Sequence, residues 1–136
     1  MTEKMIVAVD PGREKCGVAV VRRDEGAVCK KVVETRLLKE TIEKLVGEYA
    51  IEAVVLGDGT SSKNARALLS GLQKNAAPLP VRLVDEYKST EEAKLLYFRD
   101  HPPKGLLRFL PISMQVPPVP VDDYVALILG KRYFQQ

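Results

Sequence analysis

The chain has 136 residues, which fit one domain, assigned to residues 1–136, and leave little room for a second. Its net charge of +3 does not by itself indicate a nucleic-acid partner, since many other enzymes carry as much. No stretch approaches the roughly 18 apolar residues that a membrane-spanning helix needs, and the first apolar run is too short for a signal peptide. We therefore expect a cytoplasmic protein with no membrane partner.

Three short strands are predicted at the start of the chain. Met5–Asp10 is an apolar run that ends at Pro11-Gly12, a strong turn signal. Cys16–Val21 is predicted as a second strand. Asp24-Glu25-Gly26 closes a hairpin to a third strand near Ala27–Val33. The chain therefore opens with an antiparallel meander.

Helices and strands alternate in the next part of the chain. Leu37–Tyr49 has apolar residues at helical spacing, and Ile51–Leu56 is again typical of a strand. Ser61–Lys74 is predicted as a helix and Val81–Val84 as a short strand. A further helix begins near Ser89, where a capping box can form. This part therefore consists of βα units.

The segment Asp100–Pro120 is rich in proline, yet it is too apolar for a solvated linker. We expect an ordered loop here, with a short helix at Leu106–Leu110, followed by a final helix over Val121–Phe134. The order β-β-β-α-β-α-β-α-loop-α predicts an α/β fold with a mixed five-stranded sheet and helices on both faces. This is the order of elements in the RNase H-like fold.

Acidic residues stand at the ends of three predicted elements. Asp10 ends the first strand, Glu86 follows a later strand, and Asp122 and Asp123 open the last helix. Each alone can be a turn or capping residue. Functional sites in α/β sheets collect at the carboxyl ends of strands, so the three positions can converge. Convergent carboxylates repel one another unless a hard divalent cation such as Mg²⁺ or Mn²⁺ lies among them.

Four motifs resemble those of the YqgF/RuvX family and occur in the same order along the chain. Residues 10–19 resemble the family's opening motif, and residues 54–60 resemble a shortened form of its second strand and glycine-rich loop. Residues 85–93 resemble its Asp-Glu-Arg motif, although Tyr87 stands where the family usually has Arg. Residues 121–134 resemble its closing helix. The resemblance covers almost the whole chain.

This resemblance implies a metal-dependent nuclease with the RNase H-like fold. The family carboxylates fall on Asp10, Glu86 and Asp122, which would be catalytic and would hold Mg²⁺ or Mn²⁺; from the residues alone, Asp123 is an alternative to Asp122. Family members are associated with processing of precursor 16S ribosomal RNA and, by analogy with RuvC resolvases, with Holliday-junction cleavage. We expect structured RNA as the preferred substrate, branched DNA as the alternative, and a monomer or a homodimer.

Four basic residues near strand ends or helix starts are candidates for contacts with nucleic-acid phosphates. They are Lys15, Lys63, Arg66 and Lys88. Any one of them can equally be a solvated surface residue. Asp58 is interpreted as a turn residue between two glycines and not as a fourth ligand.

Two other classes of protein compete with the nuclease interpretation. The opening motif also resembles the first phosphate loop of actin-like and sugar kinases, but those proteins clamp the nucleotide between two such domains. A non-catalytic nucleic-acid-binding factor on the same fold is the second alternative. The intact carboxylates argue against it.

Overall fold

The computed structural model describes residues 3–136, which form a mixed sheet between two layers of helices. Seven strands occur in this part of the chain: β1 (Met5–Asp10), β2 (Lys15–Arg22), β3 (Gly26–Glu34), β4 (Val54–Gly57), β5 (Gln73–Lys74), β6 (Ala77–Pro78) and β7 (Val81–Val84). The main sheet has five strands in the order β3-β2-β1-β4-β7, and β5 and β6 pair separately. The predicted α/β class with a five-stranded mixed sheet is confirmed.

The longer helices have the number and order that were predicted from the sequence. They are α1 (Leu38–Glu48), α2 (Ser62–Leu69), α3 (Ser89–Asp100) and α4 (Asp122–Gln135). The proline-rich segment contains short 3₁₀ turns at Gly105–Phe109 and Ile112–Met114. The first turn coincides with the predicted short helix except for a shift of one residue. No helix within residues 3–136 is both long and apolar enough to cross a membrane.

The directions of the strands bring several strand ends to one edge of the sheet. β1, β4 and β7 run parallel to one another, whereas β2 runs antiparallel to both β1 and β3. The carboxyl ends of β1, β4 and β7 therefore meet at the same edge. β2 begins there as well, because Gly17 pairs with Asp10. We call this the carboxyl edge.

The side chains of β1 point alternately to the two faces of the sheet and so belong to two hydrophobic cores. Ile6 and Ala8 pack with α3 and α4, and Val7 and Val9 pack with α1 and α2; all four are fully buried. Since successive side chains point to opposite faces, Asp10 projects toward the face covered by α4. The sheet thus aims this carboxylate at the helix that carries the other acidic pair.

The helix predicted over Ser61–Lys74 is wrong in its second half. α2 ends at Leu69, Gly71 adopts a φ of +86°, and residues 73–78 form the β5–β6 hairpin. Glycine reaches positive φ without the steric cost that other residues meet, so Gly71 lets the chain turn. Leu72, which continued the apolar helical pattern, is buried against the α1–α2 face from this turn. The strand predicted from residue 51 also begins later, at residue 54.

Candidate active site

The carboxyl edge gathers the three predicted acidic residues. Asp10 is the last residue of β1, and Glu86 follows the end of β7 by two residues. Asp122 is the first residue of α4, and its backbone lies directly over Gly17 at the start of β2. The fold therefore places the three carboxyl groups on one side of one sheet edge.

Asp10 is the most perturbed of the three carboxyl groups. Burial is the main cause that raises its pKa from 3.8 to about 7, and the negative charges of Asp122 and Glu86 raise it further. Its ordinary value would leave it fully ionised at neutral pH. A buried carboxyl group whose pKa is also raised by two neighbouring carboxylates indicates a candidate functional site.

Two glycines shape the space that Glu86 occupies. A Cβ built on Gly57 would lie 2.5 Å from Glu86 Oε2, and one built on Gly59 would overlap Oε1. Burial raises the pKa of Glu86, the charge of Asp58 raises it further, and a hydrogen bond from the Gly59 backbone acts in the opposite direction. The loop after β4 thus forms a cradle for this carboxylate.

Asp58 has a structural role in that cradle. Its Oδ1 accepts a hydrogen bond of 3.2 Å from the Glu86 amide, and its own amide donates to the Val84 carbonyl at 3.1 Å. These bonds join the loop after β4 to the end of β7. Sequence reasoning identified Asp58 as a turn residue but missed the fit between the flanking glycines and Glu86.

The two acidic residues at the start of α4 have different surroundings. Burial raises the pKa of Asp122, the Asp123 charge raises it further, and Lys15 lowers it. Asp123 forms an ion pair of 3.6 Å with Lys30 on β3. Val121 holds the N-cap position without a side-chain hydrogen bond, and Asp123 Oδ1 accepts a hydrogen bond of 3.0 Å from the Tyr124 amide in the first turn. Asp122 therefore belongs to the carboxyl edge, and Asp123 belongs to the contact with β3.

The four basic candidates fall into two groups. Lys15 acts electrostatically on Asp122, and Lys88 lies two residues beyond Glu86, at the start of α3. Lys63 and Arg66 are exposed on α2, which packs against the opposite face of the sheet from α4. Lys15 and Lys88 are therefore the pair that flanks the carboxylates most directly.

Carboxylate oxygens are suitable ligands for a hard cation, although the three carboxylates are not close enough to coordinate one together. Among residues 3–136, no three His, Cys, Asp or Glu side chains lie close enough together to form a ready metal site. The three carboxyl groups nevertheless supply only oxygen ligands, which Mg²⁺ and Mn²⁺ prefer. The repulsion that raises the pKa of Asp10 is the kind that a cation relieves. The residues present thus fit a divalent metal chemically and would have to approach one another to bind it.

Comparison with known families gives one clear match. The profile of the RuvX family, described as Holliday junction resolvase, matches residues 4–104. Two relatives carry the name "Putative pre-16S rRNA nuclease". The protein from Thermobifida fusca is 37% identical over 101 residues, which cover 65% of this chain and 62% of that protein. The protein from Buchnera aphidicola is 33% identical over 113 residues, covering 75% and 82%.

Solved structures show the same fold. Thermus thermophilus RuvC in complex with a Holliday junction substrate aligns with a TM-score of 0.63 at 16% identity, covering 98% of this chain and 94% of that one. Another structure of Thermus thermophilus RuvC aligns with a TM-score of 0.58 at 15% identity, covering 96% and 93%. At this identity the likeness concerns the fold, and it confirms the RNase H-like class predicted from the order of elements.

Proposed function

Because this chain belongs to the RuvX family of Holliday junction resolvases, we propose that it is a nuclease that hydrolyses phosphodiester bonds at the carboxyl edge. The observation that carries the proposal is the meeting of Asp10, Asp122 and Glu86 at one sheet edge, where burial and then the charges of the other two carboxylates raise the pKa of Asp10 to about 7. A structural turn residue would not need two further carboxylates on the same side of the sheet. Three such groups on one edge suit the binding of a cation and a phosphate.

We propose that Asp10, Glu86 and Asp122 hold Mg²⁺ or Mn²⁺ in the active protein. Bound there, the metal would supply activation of water and stabilisation of the leaving 3′-oxygen. The chain itself provides the orientation: β1 directs Asp10 at α4, and the glycines at 57 and 59 leave space for the carboxylate of Glu86. Lys15 partly offsets the rise in the pKa of Asp122 that burial and Asp123 cause, and so favours the ionised form that binds a cation.

For the substrate, we propose structured RNA, with branched DNA as the alternative. The proposal for RNA rests on the names of the two relatives, and that for branched DNA on the name of the family. Lys15 and Lys88 flank the carboxylates and are proposed to contact phosphates close to the cleaved bond. Lys63 and Arg66 are proposed to contact phosphates further along the same nucleic acid. Cleavage of a structured RNA and of a four-way DNA junction, compared at equal concentration, decides between the two substrates.

The decisive experiment compares two adjacent Asp→Asn variants. Asp122→Asn is expected to lower the rate of metal-dependent cleavage about a hundredfold or more, because it removes one of the carboxylates at the carboxyl edge. Asp123→Asn is the matched control and should stay within a few-fold of wild type, since Asp123 pairs with Lys30 instead. Cleavage of a labelled RNA in Mg²⁺ or Mn²⁺ gives both rates.

The reverse pattern would show that Asp123 is the third acidic residue of the site. Wild-type protein that binds RNA but cleaves neither RNA nor a DNA junction in either metal would overturn the nuclease proposal. It would favour a non-catalytic nucleic-acid-binding factor on this fold.

The glycine cradle supplies a second prediction. Gly59→Ala is expected to lower cleavage about a hundredfold while changing the melting temperature little. The added methyl group would take the place of Glu86 Oε1 and displace the end of a flexible side chain, not the backbone. Gly47→Ala on α1 is the control, because no heavy atom lies within 4 Å of its added carbon. Cleavage rates and thermal melts of both variants test this, and a fully active Gly59→Ala protein would contradict the cradle.

A further inference from the structure

Tyr87 is an aromatic residue that the protein core does not use. Its surface is 70% exposed, whereas Tyr97, Tyr124 and Tyr133 are buried. It directly follows Glu86, one of the three carboxylates of the carboxyl edge. A large exposed ring at this position adds little to packing and leaves its faces open to a ligand.

The backbone beneath Tyr87 is held firmly. The Tyr87 amide donates a hydrogen bond of 3.0 Å to Asp85 Oδ1. The Ser89 amide and hydroxyl donate to the Glu86 carbonyl at 3.0 and 2.7 Å. Lys88, between them, completes the turn with a φ of +57°. These bonds fix the backbone from which the Tyr87 ring projects relative to the carboxylate of Glu86. The ring can therefore contact one defined position along a substrate strand.

One positive charge lies beside the ring. Lys88 Nζ lies 5.5 Å from the centroid of Tyr87, within the range of a cation–π contact. Both residues line an open pocket of about 450 Å³ whose other charged residues are Asp85, Glu92 and Arg132. Arg132 is oriented by hydrogen bonds of 2.9 Å to the Asp85 carbonyl and 2.6 Å to Glu92. Because Arg132 is paired with Glu92, Lys88 is the cation left to act with the ring. An aromatic face beside a lysine is a combination with which proteins hold an unpaired base and a phosphate that flanks it.

We propose that Tyr87 stacks against an unpaired base of the substrate strand, next to the phosphate that reaches the carboxyl edge, while Lys88 contacts a neighbouring phosphate. The inference rests on the proposed nuclease function and adds a substrate class: nucleic acid with an unpaired base beside the cleaved bond. A fully paired duplex cannot offer such a base without unstacking it, which costs a few kcal/mol. Tyr87 would thus contribute to discrimination against blunt duplex.

The test measures binding in the presence of a chelator, so that no cleavage occurs. The probes are a forked RNA with unpaired arms and a blunt RNA duplex of the same length. Tyr87→Ala is expected to weaken binding of the forked RNA roughly tenfold, in the lower part of the range for losing one base–aromatic stack. Binding of the blunt duplex should stay unchanged. Tyr87→Phe, which keeps the ring, should bind both probes like wild type.

Phe109→Ala is the matched control for an exposed ring. Phe109 is 72% exposed and has Arg108 4.8 Å from its centroid, but it does not adjoin any of the three carboxylates. Its removal should leave the preference for forked RNA intact. Equal weakening of both probes by Tyr87→Ala, or the same selective loss in Phe109→Ala, would overturn the stacking inference alone. Wild-type protein that neither binds nor cleaves the forked RNA or a four-way DNA junction would overturn the proposed function and this inference with it.

Discussion

Asp10→Asn is expected to lower cleavage at least about a hundredfold and, in chelator at pH 8, to melt roughly 5–10 °C higher than wild type. The loss of cleavage follows from removing the central carboxylate of the proposed site. The gain in stability follows from removing a half-buried negative charge that Asp122 and Glu86 repel. Opposite effects on activity and stability are typical of a strained functional site.

The pH dependence of this gain has a definite sign. The pKa of Asp10 rises from 3.8 to about 7 on folding, so the folded protein holds that proton more tightly than the unfolded chain. Ionising Asp10 therefore destabilises the folded protein. This destabilisation is absent below about pH 4, grows as the pH rises, and is complete above about pH 7. The rise in the pKa of Asp10 from 3.8 to about 7 corresponds to at most about 4 kcal/mol, and solvent near this half-buried group reduces that energy.

Thermal melts of both proteins between pH 4 and 8 measure the difference directly. The stability advantage of Asp10→Asn should shrink steadily as the pH falls and vanish near pH 4. Added Mg²⁺ or Mn²⁺ should raise the melting temperature of wild type more than that of the variant, since a ligand that binds only the folded state stabilises it. A variant that melts lower than wild type at pH 8, with the same response to metal, would make Asp10 a structural turn residue.

The sequence was sufficient to predict the position of Asp10 because the local signals are strong. A short apolar run followed by Pro-Gly indicates a buried strand that ends where the carboxylate stands. The cradle around Glu86 could not be predicted in the same way. The glycines at 57 and 59 lie almost 30 residues before Glu86, and their contact depends on β4 pairing with β7. A Gly-Asp-Gly run at the end of a buried strand was the only available signal, and it indicated a turn.

The proline-rich segment shows a different limit. Its apolar residues predicted an ordered loop, yet Leu106, Phe109 and Val116 are between 72% and 85% exposed. Ile112 does pack against the core, and the buried amide of Gln115 donates hydrogen bonds of 2.9 Å to the carbonyls of Leu107 and Leu110. One polar side chain can satisfy two backbone groups only in a particular loop geometry, and apolar composition does not reveal that geometry.

The start of α4 depends on a close approach that Gly17 permits. A Cβ at this position would overlap the carbonyl of Asp122 and lie 2.9 Å from the Asp123 amide nitrogen. Both are backbone atoms at the beginning of a helix that packs across β1, β2 and β3, so a side-chain rotation cannot relieve the overlap. The first turn of α4 has to move away from the sheet, and the carboxylate of Asp122 moves with it.

Gly17→Ala is therefore expected to lower the free energy of unfolding by about 3 kcal/mol, the upper part of the range for overpacking, and the melting temperature by roughly 10 °C. Cleavage should fall about a hundredfold even at temperatures where the variant is fully folded, because Asp122 is displaced.

Gly130→Ala separates these two effects. Its added Cβ would lie 2.7 Å from a methyl group of Val21, so it overpacks the same helix–sheet contact eight residues beyond Asp122. This variant should lose stability yet keep most of its cleavage rate when folded. Melting curves and cleavage rates, both measured well below the lower melting temperature, test the pair. Equal loss of activity in the two variants would mean that helix packing in general, and not the position of Asp122, limits the reaction. Full activity in a folded Gly17→Ala protein would remove Asp122 from the proposed site.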